Sequence, residues 1–248
     1  MRLVLLSDVH ANLPALGAVL ADVERREPHA PIYHLGDLVG YAPWPDEVVA
    51  LLVERGIAGV AGNYDSTVAT HYKHCGCKYE DPQQEALSHL SYRWTLAHTS
   101  DATKRRLGAL PFRLDVRPLG GHVAGPTIIL VHGNPTLNTF YWTQDRGDAF
   151  NLKMARQTGA RGGDVVAFGH THQPWHRVVD GTHFVNTGSV GRPKDGDRRA
   201  GYVMLEVTPR GLAIEHVRVE YDVDRAARAI EQSDLPNDFA EHLRTGGA

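Results

Sequence analysis

The amino-acid sequence predicts an α/β fold in which two mixed β-sheets pack face to face with helices on the outside. Two patterns carry that expectation. Over residues 2–61, short apolar runs alternate with segments of helical period, the order that makes parallel strands joined by right-handed crossovers. From residue 112 onward, strand-like runs follow in quick succession. Three of their gaps carry hairpin dipeptides, Gly120-Gly121, Asp180-Gly181 and Arg210-Gly211, so the second half turns antiparallel. At 248 residues, 42% of them hydrophobic, the chain suffices for one domain with a sizeable core, and no repeat, linker or low-complexity tract divides it.

Residues 2–7 are almost wholly apolar, the mark of a strand buried on both faces. Asn12 is a helix N-cap with Pro14 in the first turn, and Leu13, Leu16, Leu20 and Val23 follow at helical spacing to about residue 26. Residues 31–35 form a second strand. Residues 45–55 form a helix that offers Val48, Val49, Leu51 and Leu52 for burial, and residues 57–61 a third strand. Residues 66–78 show no clean period. Helices are expected over 83–97 and 103–110, the second capped by Asp101 or Ser100, and around 148–158. Further strands fall at 112–117, 127–131, 164–168, 177–180, 183–186, 202–207 and 213–221, with a closing helix over 223–232. The single domain spans 1–248, its tail from about residue 233 only weakly specified.

Several function classes are excluded at this level. Lys and Arg number 26 against 29 Asp and Glu, a net charge of −3, which gives no unspecific grip on long nucleic acid or anionic lipid. No apolar run approaches the ~18 residues of a membrane span. The apolar residues 3–6 are too few for a signal-peptide core. Cys75 and Cys77 stand too close together to staple distant segments, so a cytoplasmic protein without structural disulfides is expected.

The 15 histidines carry the chemistry. Five apolar runs each end in side chains that bind metal: Asp8 and His10 after the first, Asp37 after the second, Asn63 after the third, His132 after residues 128–131, and His170 and His172 after residues 165–168. The carboxyl ends of strands in an α/β sheet share one rim. Seven ligand-type residues on one rim are too many for one ion and suit two. Carboxylate, imidazole and amide oxygen without thiolate favour two divalent ions, Mn²⁺ foremost and Fe²⁺, Zn²⁺, Ni²⁺ or Co²⁺ beside it. Such a pair polarises a phosphoryl group and acidifies a bridging water. Asp37 bridges both ions in this reading, because a carboxylate offers two oxygens.

Asp8-x-His10, Gly36-Asp37, Gly62-Asn63-x-Asp65, Val131-His132-Gly133 and Gly169-His170-Thr171-His172 occur in the order of the calcineurin-like metallophosphoesterase motifs. The chain resembles that superfamily over residues 1 to about 190, and within it the small bacterial and archaeal phosphodiesterase branch. The resemblance implies a four-layer αββα sandwich. It also implies a dinuclear centre in which Asp8, His10 and His172 hold one ion, Asp37 bridges, and Asn63, His132 and His170 complete the other. A metal-bridging hydroxide then attacks phosphorus in line with the leaving alkoxide, without a protein nucleophile.

One position departs from the family pattern. Where many members have histidine after the asparagine, this chain has Tyr64, and a phenol of pKa ~10 is a sluggish proton shuttle at neutral pH. Tyr64 itself, His71 or His74 just downstream, or a water are the candidate acids. Members lacking the histidine tend towards diesters, so a small organic or nucleotide-like phosphodiester is the expected substrate. A phosphomonoesterase acting on a protein or nucleotide is the alternative, and a non-catalytic metal-binding scaffold is the reading from another class. Asp65 is expected to orient a ligand or turn. Asn186 and Ser189 tie down a loop from which Arg192 and Lys194 meet a substrate phosphate, and His71 is a further candidate for substrate binding; otherwise that loop is a solvated basic turn. The segment from His71 to Cys77 is a substrate-side loop or a cramped zinc clip. Tyr41, Trp44, Tyr141 and Trp142 stack a nucleobase or anchor loops. His34, His89, His98, His122, His176, His183 and His216 are structural or surface residues. Nothing demands assembly beyond a monomer or weak homodimer.

Overall fold

A computed structural model describes residues 1–78, 81–118, 125–208 and 211–247. Gly120, Gly121, His122 and Arg210 lie outside the described residues. The described residues form two five-stranded sheets. The first contains β1 (Arg2–Leu6), β2 (Ile32–His34), β3 (Ala58–Gly59), β9 (Ala200–Thr208) and β10 (Gly211–Val219), in the order β10-β9-β1-β2-β3. The second contains β4 (Leu114–Val116), β5 (Ile128–Leu130), β6 (Val165–Phe168), β7 (Trp175–Val179) and β8 (Thr182–Asn186), in the order β4-β5-β6-β8-β7. The neighbours β1-β2-β3 and β5-β6-β8 are parallel and the outer pairings antiparallel, so both sheets are mixed.

Alternation along β1 divides the core. Leu3 and Leu5 face the second sheet, meeting Leu130, Val165, Ala167 and Val185 in the layer between the sheets. Val4 and Leu6 face outward and pack beneath helix α1 (Leu13–Arg26) with Leu16, Val19 and Val23. Asn12 caps α1 as expected, its Oδ1 accepting from Ala15 N–H at 3.2 Å. Helices α2 (Pro45–Glu54) and α3 (Asn63–Ala69) follow β2 and β3 of the first sheet, α4 (Pro82–His98) and α5 (Asp101–Gly108) come next in the chain, and Ser100 is the cap of α5. On the far face of the second sheet, α6 (Asp148–Thr158) places Met154 and Ala155 against Val166, Phe168 and the fully buried Trp142. The result is the expected αββα sandwich.

Two helices depart from the sequence expectation. The start of the stretch 66–78, which shows no clean period, belongs to α3, and the apolar period is missing because the buried face of α3 is mostly polar: Asn63, Tyr64 and Asp65 lie there with only Val68. The Asp65 carboxylate accepts from Gly62 N–H at 2.9 Å and fixes the first turn. The tail is also ordered. After α7 (Val223–Glu231) the chain forms α8 (Asp238–Thr245), which buries Phe239, Ala240 and Leu243. An eight-residue helix carries too short a stripe for its period to register. Among the described residues no helix is long and apolar enough to cross a membrane.

Phe239, 2% exposed and edge-on to Tyr41 at 5.1 Å, makes the tail part of the core. Phe239→Ala is expected to lower unfolding stability by about 3–5 kcal/mol in urea denaturation. A loss below about 1 kcal/mol would show the tail to be dispensable.

Candidate metal centre

The structure brings all seven expected ligand residues together, each buried, from the segments after β1, β2, β3, β5 and β6. Asp8, His10, Asp37, His170 and His172 all adopt left-handed backbone, with φ between 48° and 65°. Each such non-glycine residue costs on the order of 1 kcal/mol, and such residues persist where surrounding structure over-determines them.

The first cluster is Asp8, His10 and His172. One oxygen of Asp8, Oδ2, accepts from Ser7 Oγ at 2.6 Å and from His170 N–H at 3.0 Å. The other, Oδ1, has no hydrogen-bond partner, although buried, and lies 3.2 Å from His172 Nε2 and 3.7 Å from His10 Nε2. The Nδ1–H of His10 donates to Val39 O and that of His172 to Arg192 O, so both rings turn a bare Nε2 inward. These two nitrogens stand 3.0 Å apart. Lone pair faces lone pair beside a bare carboxylate oxygen, an arrangement that calls for a cation.

The second cluster is Asp37, His132 and His170. His132 Nδ1–H donates to Leu35 O at 2.7 Å, and its Nε2 points at Asp37 Oδ2 (3.4 Å) and Asn63 Oδ1 (3.2 Å). The amide of Asn63 is oriented by its Nδ2–H, which donates to Cys75 O at 3.0 Å and to Cys77 Sγ at 3.2 Å. His170 Nε2 is buried without a partner. Asp37 joins the clusters through one oxygen rather than two: Oδ1 is taken by Tyr64 N–H at 2.9 Å, and Oδ2 faces both His132 and, at 3.8 Å, His10.

Charge follows this geometry. Burial drops His10 to about 4 and His170 to about 3, and holds His172 well below the ordinary imidazole range. Burial disfavours a charged His132 too, yet the adjoining Asp37 carboxylate carries it up to about 9. Without a cation the centre therefore holds three neutral imidazoles and one imidazolium.

The expected acids are not delivered to the centre. Tyr64 is 1% exposed, its ring edge-on to His10 and its hydroxyl donating to Ser91 Oγ at 3.2 Å, so it is a packing residue and burial raises its pKa further. His71 is exposed. His74 turns its Nδ1 to Gly76 N–H at 3.0 Å and its ring to Tyr72. It is the cysteine end of that loop that touches the centre, and both thiols are free of disulfide. Trp142 is core, stacked on Phe168, while the Tyr141 ring lies 4.6 Å from that of His170. Asp65 orients as expected, accepting from Leu38 N–H and Gly62 N–H and so joining the Asp37 and Asn63 turns. Asn186 Nδ2–H donates to Gly169 O, and Ser189 Oγ–H to Asp8 O. Ser7 and Cys77 are the contacts that sequence reasoning missed; a serine before Asp8 and a thiol in an aperiodic loop carry no distinguishing signal.

Residues 1–210 match the calcineurin-like phosphoesterase superfamily domain, and the chain belongs to that superfamily. Over 265 aligned residues, 97% of this chain and 96% of the relative, it is 28% identical to an uncharacterized protein of Methanocaldococcus jannaschii. A crystal structure of a metallophosphoesterase from Sphaerobacter thermophilus matches with TM-score 0.75 and 28% identity, covering 99% of this chain and 100% of that one. A hypothetical protein from Pyrococcus horikoshii shares the fold, with TM-score 0.82 and 21% identity over 100% of this chain and 98% of that one. The chain is thus a metallophosphoesterase of the small prokaryotic type, a family of phosphoester hydrolases that use divalent metal ions.

Gly169 is required by close approach: a Cβ there would overlap Ser7 Oγ and Asp8 Oδ2. Gly169→Ala is expected to swing the Asp8 carboxylate out of the first cluster. Elemental analysis after Mn²⁺ loading should then find fewer ions per chain than in the wild type, and an unchanged stoichiometry would refute this role.

Proposed function

We propose that the protein is a dinuclear phosphodiesterase acting on small organic or nucleotide-like phosphodiesters. The observation that carries this reading is the pair of buried clusters sharing Asp37 Oδ2, the first with two bare imidazole nitrogens 3.0 Å apart. Asp8, His10 and His172 would hold one ion, His132, His170 and Asn63 Oδ1 the other, with Asp37 between them. The donors suit Mn²⁺ foremost, then Fe²⁺, Zn²⁺, Ni²⁺ or Co²⁺. When bound, two such ions polarise a phosphoryl oxygen and lower the pKa of a shared water.

The chain's own groups support a diester. With the Tyr64 hydroxyl spent on Ser91, the residue after Asn63 offers no acid to protonate a poor leaving group. Members of the family without a histidine there tend towards diesters. A phosphomonoesterase is the second reading, favoured by Arg192 and Lys194, whose charges act on His172 in the first cluster and would meet a dianionic phosphate.

The deciding assay compares bis(4-nitrophenyl) phosphate with 4-nitrophenyl phosphate, on metal-stripped protein and after Mn²⁺ is restored. Turnover is expected only with the ion, and kcat/KM is expected to favour the diester. A monoester preference would replace the first reading by the second, and two bound ions with no turnover of either ester would favour a scaffold.

Metal binding should also be proton-linked. At pH 7.5 His132, held near 9 by Asp37 against the cost of burial, is protonated, whereas His10 and His170 are already neutral. Loading must therefore expel about one proton, and affinity should rise about tenfold per pH unit until pH approaches about 9. Calorimetric Mn²⁺ titrations in two buffers of different ionisation enthalpy measure that proton; its absence would exclude His132 as a ligand.

A further inference from the structure

The loop after β5 begins at His132 and ends on Trp142, which is fully buried, stacks on Phe168 and donates its Nε1–H to Asn151 Oδ1 at 2.9 Å. Between these anchors the loop is fastened at several points. Asn134 Oδ1 accepts from Thr136 N–H and Leu137 N–H at 2.8 and 2.7 Å, and Asn138 Nδ2–H donates to Gly62 O and Ser66 Oγ, both at 3.2 Å. Thr139 packs on Gly76, where a Cβ would come within 3.1 Å of its Cγ2. Tyr141 is thereby held in place at a half-buried position. Its ring lies 4.6 Å from that of His170, and its hydroxyl donates to the Cys77 sulfur, which also accepts from Asn63 Nδ2–H at 3.2 Å. The phenol thus borders the second cluster on two sides, at His170 directly and at Asn63 across one sulfur.

Tyr64 and Tyr141 differ in what their hydroxyls can do. That of Tyr64 is committed to Ser91 Oγ, a good acceptor, at a residue only 1% exposed. That of Tyr141 stands on a thiol, a weak acceptor, at a residue that solvent reaches. A phosphoryl oxygen carries negative charge and accepts far more strongly. The phenol therefore turns from sulfur to phosphate at little cost, and Cys77 keeps the Asn63 amide as its donor. We infer that the Tyr141 O–H donates to a non-bridging oxygen of the phosphoryl group at the second cluster, which makes Tyr141 a catalytic residue. The inference rests on the phosphodiesterase reading for the ester it meets. Negative charge grows on the non-bridging oxygens as the attacking oxygen bonds to phosphorus, and the bond from a donor already fixed by its loop strengthens with it. A phenol of pKa ~10 keeps its proton at neutral pH, so it supplies this hydrogen bond without taking part in proton transfer.

The test is Tyr141→Phe, which keeps the ring on His170 and removes only the hydroxyl. Elemental analysis after Mn²⁺ loading should find the same number of ions per chain as in the wild type. With the ions restored, kcat on the 4-nitrophenyl ester of thymidine 5′-phosphate should fall by about 10- to 100-fold, as for the loss of a hydrogen bond to a charged group, and KM should change less. The phenyl ester of the same nucleotide should lose the same factor, because a non-bridging oxygen does not leave. Calorimetry with inorganic phosphate on the Mn²⁺-loaded protein reads the contact without turnover, and affinity should drop about tenfold in Tyr141→Phe. Unchanged kcat and phosphate affinity would overturn the contact. Fewer bound ions in Tyr141→Phe would overturn it too, by showing that the hydroxyl acts through Cys77 on Asn63. A larger loss on the phenyl ester would place the hydroxyl on the leaving oxygen and overturn the assignment to a non-bridging one. Failure of the wild type to hydrolyse either diester would overturn the phosphodiesterase reading alone, and the phosphate calorimetry then decides the role of Tyr141.

Discussion

Two imidazole nitrogens with no proton between them, held 3.0 Å apart by carbonyls that claim the other nitrogen of each ring, are the constraint around which this molecule is arranged. Neither ring can relieve the contact by changing tautomer without abandoning a buried carbonyl, and neither can ionise readily in a dry site. The rings are 162 residues apart in the chain and belong to loops of different sheets, so only the face-to-face packing of those sheets holds them in opposition. The left-handed backbone at five cluster residues is a further local cost of the same arrangement. What offsets these costs is the apolar layer between the sheets, contributed by residues with no chemistry of their own.

Much of this was legible in the sequence because it follows from period and order. The fully apolar β1 had to be buried on both faces, and it is, with Leu3 and Leu5 on one side and Val4 and Leu6 on the other. Ligand residues at the ends of apolar runs had to meet on one rim if those strands lay parallel, and β1-β2-β3 and β5-β6-β8 do. What stayed hidden depends on contacts between distant residues. The buried face of α3 is polar because it serves the centre, so it leaves no apolar period. Tyr64 stands at a motif position, but Ser91 of α4 and the edge of His10 decide where its hydroxyl points. That Asp37 reaches both clusters through a single oxygen follows from Tyr64 N–H claiming the other.

The loop from His71 to Cys77 shows how side-chain type misleads when backbone does the work. Its histidines suggested proton transfer, yet the contribution to the centre is a carbonyl and a thiol sulfur that together turn the Asn63 amide oxygen inward. An amide has no preferred end without such partners, so its usefulness as an oxygen donor depends on a loop whose sequence carries no sign of it.

The tail extends the same logic from the centre to its flank. Phe239 of α8 contributes to the core and at once forms one wall beside the Arg192 guanidinium, while His242 Nε2–H donates to Pro193 O and Gly196 N–H to Gly246 O. The loop carrying Arg192 and Lys194 is therefore held from two sides, by the first cluster through His172 and Ser189 and by the last helix of the chain. A helix more than 60 residues beyond the final ligand, His172, thus shapes the electrostatic surroundings of the first. Because the same aromatic contacts both close the core and hold a cation in place, stability and the charge beside the centre are not separable in this fold.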